Sequence, residues 1–402
     1  MQVQFAKRMA YVQPSAIREL LRLGADPEVI SYGGGYPDAA LFPFEELCAA
    51  CQTAIVEDGH ASLQYTVSNG TPKLRTQIAE RMGAQGVACS PDQVLVLHGG
   101  QQGLDLVARL LIDEGDVIIT ENPTFLGALI AFNPYEPRYV TVPMDQDGMD
   151  MDKLEHALRE NPQAKLLYTV PDFHNPTGVT MSLERRRRLI ELANRHNLVI
   201  LEDTPYREIR YEGEPLPTLK SLDTEGRVIF VGSFSKILAP GLRLGWAVGS
   251  EDLIQQLGLL KLAADTQCST LNMAIVSLFL EQYDIEAHIQ TLRDVYRRKK
   301  RLMLDTIRRT FPEDVACTDP SGGLFTWLTF PEGFDTARFM REQALPRAKV
   351  AYVPGATFFP LRQEHNHARL SYSTQPDAQI VKGITALAEL LQEQAAGGWR
   401  ME

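Results

Sequence analysis

The sequence predicts an α/β protein with a mostly parallel, doubly wound sheet, and three observations support this fold class. From about residue 90 onward, short apolar runs of strand length alternate with segments of helical periodicity. Polar or glycine-containing stretches follow these runs directly, and folds of this class bind ligands at the carboxyl ends of their strands. After about residue 290, a long charged helix leads into a second, smaller α/β unit.

Composition limits the function classes that this chain can serve. Its 402 residues suffice for about two or three domains, and 44% hydrophobic with 23% charged residues is ordinary for a globular protein. A formal net charge of −11 argues against nucleic acid or an anionic membrane as the main partner. The N-terminus lacks the apolar core of a signal peptide, and no apolar run reaches the roughly 20 residues of a membrane span. The 5 cysteines, a small and odd number, predict a reducing compartment, the cytoplasm.

The first part of the chain contains a predicted helix and a glycine-rich stretch. Residues 10–25 predict a short helix, with Pro14 and Ser15 at its start and Gly24 at its end. The stretch Ser31–Asp38 contains three successive glycines, which permit close backbone approach to a ligand, although a plain turn is equally allowed.

The strands of the main sheet are predicted from apolar, β-rich runs between turn signals. Helices between them are expected to begin at Gly100, after Phe125 and at Ser182. The predicted strands are Val94–Leu97, Val117–Thr120, Leu166–Val170, Leu198–Leu201, Val228–Val231 and Leu244–Val248 in the main sheet, with Gly322–Leu328 and His367–Ser373 in the second unit. No cluster of cysteine and histidine has the spacing of a metal site.

The stretch Ser233–Trp246 carries the strongest chemical signal. It begins where a predicted strand ends, and it places Lys236 seven residues before Arg243. A lysine in this setting suits a Schiff base with an aldehyde cofactor, whose phosphate Ser233, Ser235 and Arg243 would hold. Penicillin-binding enzymes share the Ser-x-x-Lys spacing, but their Ser-Asp-Asn and Lys-Thr-Gly motifs are absent here, and an ordinary turn is a further alternative.

Four residues near other strand ends are candidates to hold the ring of such a cofactor. Asp203 either caps a helix or keeps a pyridine nitrogen protonated, so that the ring acts as an electron sink. Asn175 is either a turn residue or, together with Tyr206, a donor to a phenolate oxygen. Phe125 either belongs to the core or stacks on the ring.

Anionic groups have separate candidate partners. Gly100 and Gln101 stand at a predicted helix N-terminus, where backbone N–H groups bind phosphate. Arg369 is either a surface charge or a bidentate clamp for a substrate carboxylate.

Six motifs, taken in chain order, resemble those of the class I/II, fold type I aminotransferases that use pyridoxal 5'-phosphate (PLP). The resemblance is strongest to the branch of 2-aminoadipate and kynurenine aminotransferases, and it covers nearly the whole chain. The six together are specific where one alone is not. The motifs are Gly99–Asp105, Asn122–Phe125, Asn175–Gly178, Glu202–Tyr206, Ser233–Trp246 and Ala368–Tyr372.

This resemblance implies a domain organisation and an assembly. A large PLP-binding domain at residues 46–290 would contain a mostly parallel, seven-stranded sheet. An arm at residues 1–45 and a C-terminal part at 291–402 would form a smaller α/β domain from both termini. The family is expected to form homodimers with shared active sites, in which Tyr65 reaches the phosphate and the substrate side of the neighbouring subunit.

The resemblance also implies a role for each candidate. Lys236 would form the Schiff base and shuttle the proton, Asp203 would pair with the pyridinium nitrogen, and Asn175 and Tyr206 would hold the phenolate oxygen. The stacking position is Phe125. Arg369 would take the α-carboxylate with help from Asn175 and the Gly34–Gly35 backbone. The implied phosphate ligands are Gly100, Gln101, Ser233, Ser235 and Arg243.

The implied reaction moves an amino group between an α-amino acid of the 2-aminoadipate, aromatic or branched-chain type and a 2-oxo acid, expected to be 2-oxoglutarate. Arg18 matches an arginine that meets a distal substrate carboxylate in 2-aminoadipate aminotransferases, and a solvated helix arginine is an equal alternative. Phe125 replaces a common tyrosine, and Gly100 replaces a common serine, which removes a hydroxyl from the expected phosphate site. The stretch Tyr32–Tyr36 departs from the usual Phe-Ala-Gly-Gly-Leu on the expected substrate side, which leaves the exact amino acid open.

Two other functions are compatible with the same motifs. A carbon–sulfur lyase would use the same fold and a nearly identical set of residues. A ligand-sensing domain of a transcription factor is the alternative from another class, which the acidic composition disfavours.

Overall fold

The computed structural model describes residues 3–12 and 26–399. Arg18 and the predicted helix from residue 13 to residue 25 lie outside these described residues. Residues 10 and 11 end a 3-10 turn, Lys7–Tyr11.

Helices of the described residues begin where the sequence predicts. The helix after Val94–Leu97 starts at Gly100, and the Ser182 Oγ accepts a hydrogen bond from the Arg185 N–H at the start of another. The α-helices are α1 (Phe44–Val56), α2 (Gly59–Ser62), α3 (Pro72–Ala84), α4 (Gly100–Leu111), α5 (Leu126–Phe132), α6 (Met151–Glu160), α7 (Leu183–His196), α8 (Leu219–Leu222), α9 (Glu251–Asp265), α10 (Thr270–Gln282), α11 (Ile285–Thr310), α12 (Thr336–Phe339) and α13 (Asp377–Ala396). None of them is both long and apolar enough to cross a membrane.

The strands form one large sheet and two small ones. They are β1 (Ile30–Ser31), β2 (Val94–Leu97), β3 (Val117–Asn122), β4 (Arg138–Asp145), β5 (Gly148–Met149), β6 (Leu166–Thr169), β7 (Val199–Asp203), β8 (Val228–Ser233), β9 (Gly245–Val248), β10 (Ala316–Cys317), β11 (Phe325–Thr329), β12 (Val350–Ala351), β13 (Val353–Pro354) and β14 (His367–Ser371).

The large sheet has the order β2-β9-β8-β7-β6-β3-β4-β5. The pairs β8–β7, β7–β6, β6–β3 and β3–β4 are parallel, while β9 runs antiparallel to both of its neighbours. This confirms the predicted mostly parallel α/β sheet, with seven main strands and a two-residue strand, β5, added at one edge. Helices cover both faces, since Ile118 of β3 lies in one buried cluster while Val117 and Ile119 lie in another.

The smaller unit contains an antiparallel sheet of order β10-β11-β14-β13. The long helix α11 leads into it and packs against α13. The pairing of β1 with β12 brings residues near the N-terminus onto this unit. The segment around β1 and the C-terminal part of the described chain therefore both contribute to it.

The direction of the strands places the predicted site. The strands β2, β3, β6, β7 and β8 all point the same way, so their carboxyl ends meet at one edge of the large sheet. At that edge the chain continues into Gly100, Phe125, Asn175, Asp203 and Ser233.

The sequence prediction missed β4 and set some strand ends incorrectly. β4 is mostly exposed or half-buried, because it lies next to the edge of the sheet, so it lacks the continuous apolar run by which the inner strands are recognised. The predicted strand Leu198–Leu201 is instead Val199–Asp203, since the acidic residues Glu202 and Asp203 are also buried in strand conformation.

Candidate active site

A cavity of about 280 Å³ lies at the carboxyl edge of the large sheet. Two larger cavities occur elsewhere, of about 770 and 820 Å³, so size alone does not identify the site. The small cavity is the one that collects the predicted side chains. Its lining includes Gly35, Gly100, Gln101, Phe125, Asn175, Asp203, Tyr206, Ser233, Ser235, Lys236, Arg243 and Arg369.

Lys236 lies in the turn that follows β8. Its Nζ donates a hydrogen bond to the Gly35 carbonyl oxygen at 2.6 Å. Burial is the main cause that lowers the pKa of the Lys236 amine to about 8, and the charges of Arg369 and Arg243 lower it further. The amine is therefore partly neutral near physiological pH and can act as a nucleophile or base.

Asp203 ends β7 and is only 5% exposed. Its Oδ2 accepts a hydrogen bond from the Tyr168 hydroxyl at 2.9 Å. Burial raises the pKa of Asp203 to about 7; the Tyr168 bond opposes this rise, and the nearby carboxylate of Glu121 adds to it. A positively charged group beside Asp203 would stabilise its ionised form.

Arg369, on β14, is a buried cation held by neutral groups. Its Nη1 donates to the Asn175 Oδ1 at 2.8 Å, its Nη2 donates to the Gly33 carbonyl oxygen at 2.7 Å, and its Nε has no hydrogen-bond partner among the described residues. The guanidinium carbon lies 4.2 Å from the ring centroid of Phe325. Burial lowers the pKa of Arg369 to about 10, and no carboxylate of the described chain forms an ion pair with it.

Asn175 and Tyr206 lie together in this cavity, as predicted. The Asn175 Nδ2 donates to the Tyr206 hydroxyl oxygen at 3.2 Å. Burial raises the pKa of Tyr206 to about 12, although Arg369 and Asn175 act in the opposite direction. The Tyr206 hydroxyl is therefore a protonated donor at physiological pH.

Arg243 and the start of α4 form the opposite end of the cavity. Arg243 has a left-handed backbone, with φ 49°, and its Nη2 donates to the His98 carbonyl oxygen at 3.2 Å. Gly99 has φ 72°, and a Cβ there would come within 2.6 Å of the Arg243 Nη2. A side chain at Gly99 would therefore displace the guanidinium.

The remaining predicted residues have the following positions. Arg369 donates to the Gly33 carbonyl oxygen and Lys236 donates to the Gly35 carbonyl oxygen, so the glycine-rich stretch borders the site. Tyr65 is 80% exposed and does not line the cavity of its own chain. Arg18 lies outside the described residues.

Sequence reasoning missed three residues that support the site. Tyr168 bonds Asp203 from the neighbouring strand, and the rings of Phe325 and Phe358 flank the Arg369 guanidinium. Tyr168 appears in the sequence only as one residue of an apolar strand. Strand pairing is the signal that would place it beside Asp203, because Tyr168 is paired with Leu201, two residues before Asp203.

The model of the family "Aminotransferase class I and II" matches residues 34–387 of this chain. The chain belongs to this family. Members of this fold type use PLP, so the protein is a PLP-dependent aminotransferase that acts on amino acids and 2-oxo acids.

Similar proteins support this assignment over almost the whole length. The aminotransferase is 40% identical to aromatic-amino-acid aminotransferase 1 of Thermococcus litoralis, over 97% of this chain and 94% of that one. It is 38% identical to the 2-aminoadipate transaminase of Thermus thermophilus, over 96% of each chain. The structure of Pyrococcus horikoshii kynurenine aminotransferase, solved in complex with PMP, matches with a TM-score of 0.93 and 37% identity, covering 97% of both chains.

The residues of the aminotransferase cavity fit PLP and a substrate. Lys236, Arg243 and Arg369 contribute three positive charges to its wall, against the single carboxylate of Asp203, which suits a phosphate and a substrate carboxylate. A Cβ at Gly100 would lie 3.5 Å from a methyl group of Val231 and 4.0 Å from the Asp203 Oδ1. Both are ordinary van der Waals distances, so this part of the wall would also accept a small side chain.

Proposed function

We propose that this enzyme transfers the amino group of an α-amino acid of the aromatic, branched-chain or 2-aminoadipate type to a 2-oxo acid, with 2-oxoglutarate as the acceptor. One observation carries this proposal. The buried guanidinium of Arg369, which forms no ion pair with a carboxylate of the described residues, lies in the same cavity as the Lys236 amine. The names of the relatives, which include aromatic-amino-acid and 2-aminoadipate enzymes, support the substrate classes.

We propose that the following residues bind the cofactor. Lys236 would bind PLP covalently, and Asp203 would pair with its ring nitrogen. Asn175 and Tyr206 would donate to its ring oxygen, and Phe125 would lie against the ring. The proposed phosphate ligands are Gly100, Gln101, Ser233, Ser235 and Arg243. This set is supported by the start of α4 at Gly100, where backbone N–H groups can bind an anion, and by the end of β8 at Ser233.

PLP, when bound, supplies a carbonyl that links to an amine and a ring that takes up electrons when a bond at the substrate Cα breaks. The chain supplies the remaining functions. Arg369 would bind the α-carboxylate through charge-assisted hydrogen bonds and so orient the Cα. The Lys236 amine, whose pKa is lowered to about 8, would take the Cα proton and return it.

Asp203 and Tyr206 would control charge at the two sides of the ring. The Asp203 carboxylate would hold a proton at the ring nitrogen. Asp203 is buried and has no cationic partner among the described residues, so the protonated ring nitrogen would be its partner. Tyr206 would remain a donor throughout, since its pKa is raised to about 12.

We also propose a homodimer with shared active sites. Tyr65 is exposed, and so are its neighbours Leu63 and Val67, at 70% and 54%. Apolar side chains grouped on a surface in this way favour an interface. Tyr65 would then reach the phosphate and substrate of the neighbouring subunit.

The domain boundaries and the compartment are part of the same proposal. The pairing of β1 with β12 supports a small domain built from residues 1–45 and 291–402 around a large domain at 46–290. All five cysteines are free, which supports the cytoplasm.

A half-reaction screen tests the proposed substrates. Each amino acid is added to the purified holoenzyme, and the absorption band of the cofactor is followed. Glutamate, 2-aminoadipate, leucine and phenylalanine should change the band and yield oxo acids, and Arg369→Lys should weaken all of these responses. Arg362→Lys, at an exposed arginine, is the matched control. Release of a thiol, ammonia and a 2-oxo acid from a sulfur amino acid, without aminated cofactor, would support the carbon–sulfur lyase instead.

A further inference from the structure

A second cavity, of about 820 Å³, lies outside the active site and is rich in arginine. Four guanidinium groups line it, against two carboxylates. The arginines are Arg81, Arg207, Arg210 and Arg293, and the acids are Glu208 and Glu286. A local excess of positive charge in a chain with a net charge of −11 favours an anionic ligand.

Two of these arginines donate hydrogen bonds to the same buried carboxylate, which lies behind the cavity wall. The Asp172 side chain accepts hydrogen bonds from the Arg207 Nη1 at 3.1 Å and from the Arg210 Nη2 at 3.4 Å. It is also bonded at 2.8 Å by Arg186, which is fully buried. Three guanidinium groups thus share one carboxylate. Burial is the main cause that lowers the pKa of Arg210; Asp172 opposes it, and Arg186 and Arg207 lower it further.

The other two arginines differ in how well they are paired. Arg81 forms ion pairs with both Glu208 and Glu286. Arg293 donates from its Nε to the Glu208 carbonyl oxygen at 2.8 Å and reaches the Gln290 Oε1 at 3.5 Å. No carboxylate of the described residues forms an ion pair with Arg293. Its charge is therefore available to a ligand in the cavity.

From this arrangement we infer a second binding site, for a small anion with two or more negative charges. Arg293, Arg207 and Arg210 would hold a phosphate-bearing or polycarboxylate molecule. Guanidinium groups bind both kinds of anion through paired N–H donors, and a doubly charged ligand matches the excess of two positive charges in the wall.

The site lies next to the catalytic machinery in the chain. Arg207 directly follows Tyr206, so one short segment faces the cofactor cavity with Tyr206 and the arginine-rich cavity with Arg207. A narrow gap of about 10 Å³, lined by Pro205, Arg207 and Ser233 among others, lies between the two cavities. A bound anion would contact the segment that positions Tyr206.

Isothermal titration calorimetry on the holoenzyme tests this inference. Pyrophosphate and citrate are titrated separately at constant ionic strength, with chloride as the monovalent comparison. At least one should bind saturably, and the tighter of the two identifies the ligand as phosphate-bearing or polycarboxylate. Bound PLP keeps the phosphate end of the active site filled during the titration.

Two variants locate the binding. Arg293→Gln removes one guanidinium, and Ala84→Glu adds a carboxylate at an exposed position of the cavity wall. Each should raise the Kd at least about tenfold, because Arg293→Gln loses one charge-assisted hydrogen bond and Ala84→Glu adds a charge that repels the anion. Arg309→Gln, at the far end of α11, and Ala88→Glu, outside the cavity, should leave the Kd unchanged. Saturable binding that both cavity variants retain, or no binding beyond that of chloride, would overturn the inference.

Discussion

Asp203 combines a buried carboxylate, one hydroxyl donor and a pKa raised to about 7. Replacing it by asparagine removes the charge but keeps the shape. Asp203→Asn should retain some PLP and lose most of its activity, by more than the about 1.5–3 kcal/mol of one charge-assisted hydrogen bond. Steady-state kcat/KM measures the loss. Asp116→Asn, at a carboxylate outside the cavity, is the control. Near-normal turnover of Asp203→Asn would show that another acid serves the ring nitrogen.

The same residue predicts how the stability of the apoprotein depends on pH. A carboxyl group whose folded-state pKa is raised binds its proton more tightly in the folded protein, so the free energy of unfolding falls as pH rises from about 4 to about 7. Asp203→Asn removes this loss. At pH 8 the Asp203→Asn apoprotein should therefore melt several degrees above the wild-type apoprotein. At pH 4 the difference should disappear, and an equal gain at both pH values would exclude ionisation as its cause.

At the scale of elements, most of the large sheet could be predicted from apolar periodicity. The inner strands β6, β7 and β8 are almost wholly buried, and each begins with a continuous apolar run. β4 could not be predicted in this way, because its exposed residues interrupt the pattern. Element ends were less predictable, as the extension of β7 through Glu202 and Asp203 shows.

The site was predictable where residues are close in sequence and less so where they are distant. Ser233, Ser235, Lys236 and Arg243 lie in one stretch, whose residue types and spacing suit a Schiff base and a phosphate and became specific together with the other motifs. The bond from Arg369 to the Gly33 carbonyl joins residues 336 positions apart, and only the packing of β14 beside the glycine-rich stretch brings them together. No periodicity or motif encodes such a contact.

The predicted N-terminal helix offers a test of substrate choice at the same scale. Arg18→Ala should lower kcat/KM for glutamate and 2-aminoadipate by about 1.5–3 kcal/mol, because a distal carboxylate would lose a charged partner. Leucine and phenylalanine should change little. Arg22→Ala, in the same predicted helix, is the matched control. An equal loss for both substrate classes would mean that Arg18 serves folding or closure and not recognition.

At the scale of the whole molecule, the proposed homodimer places the exposed Tyr65 in the active site of the neighbouring subunit. Mixing Tyr65→Phe with Lys236→Ala should produce hybrid dimers in which one site carries both changes and the other carries neither. The hybrids should recover activity with the wild-type KM, which steady-state kinetics after subunit exchange can measure. A fully active monomer in analytical ultracentrifugation would contradict the proposed assembly.

The central claim is that Lys236 holds PLP at the carboxyl edge of the large sheet. Treating the holoenzyme with borohydride and mapping the labelled peptide tests this claim most directly, because reduction fixes the cofactor to the amine that binds it. The label should fall on Lys236, and Lys236→Ala should take up no label and show no steady transamination. A label on another lysine of the wild-type enzyme, or steady turnover by Lys236→Ala, would contradict the claim.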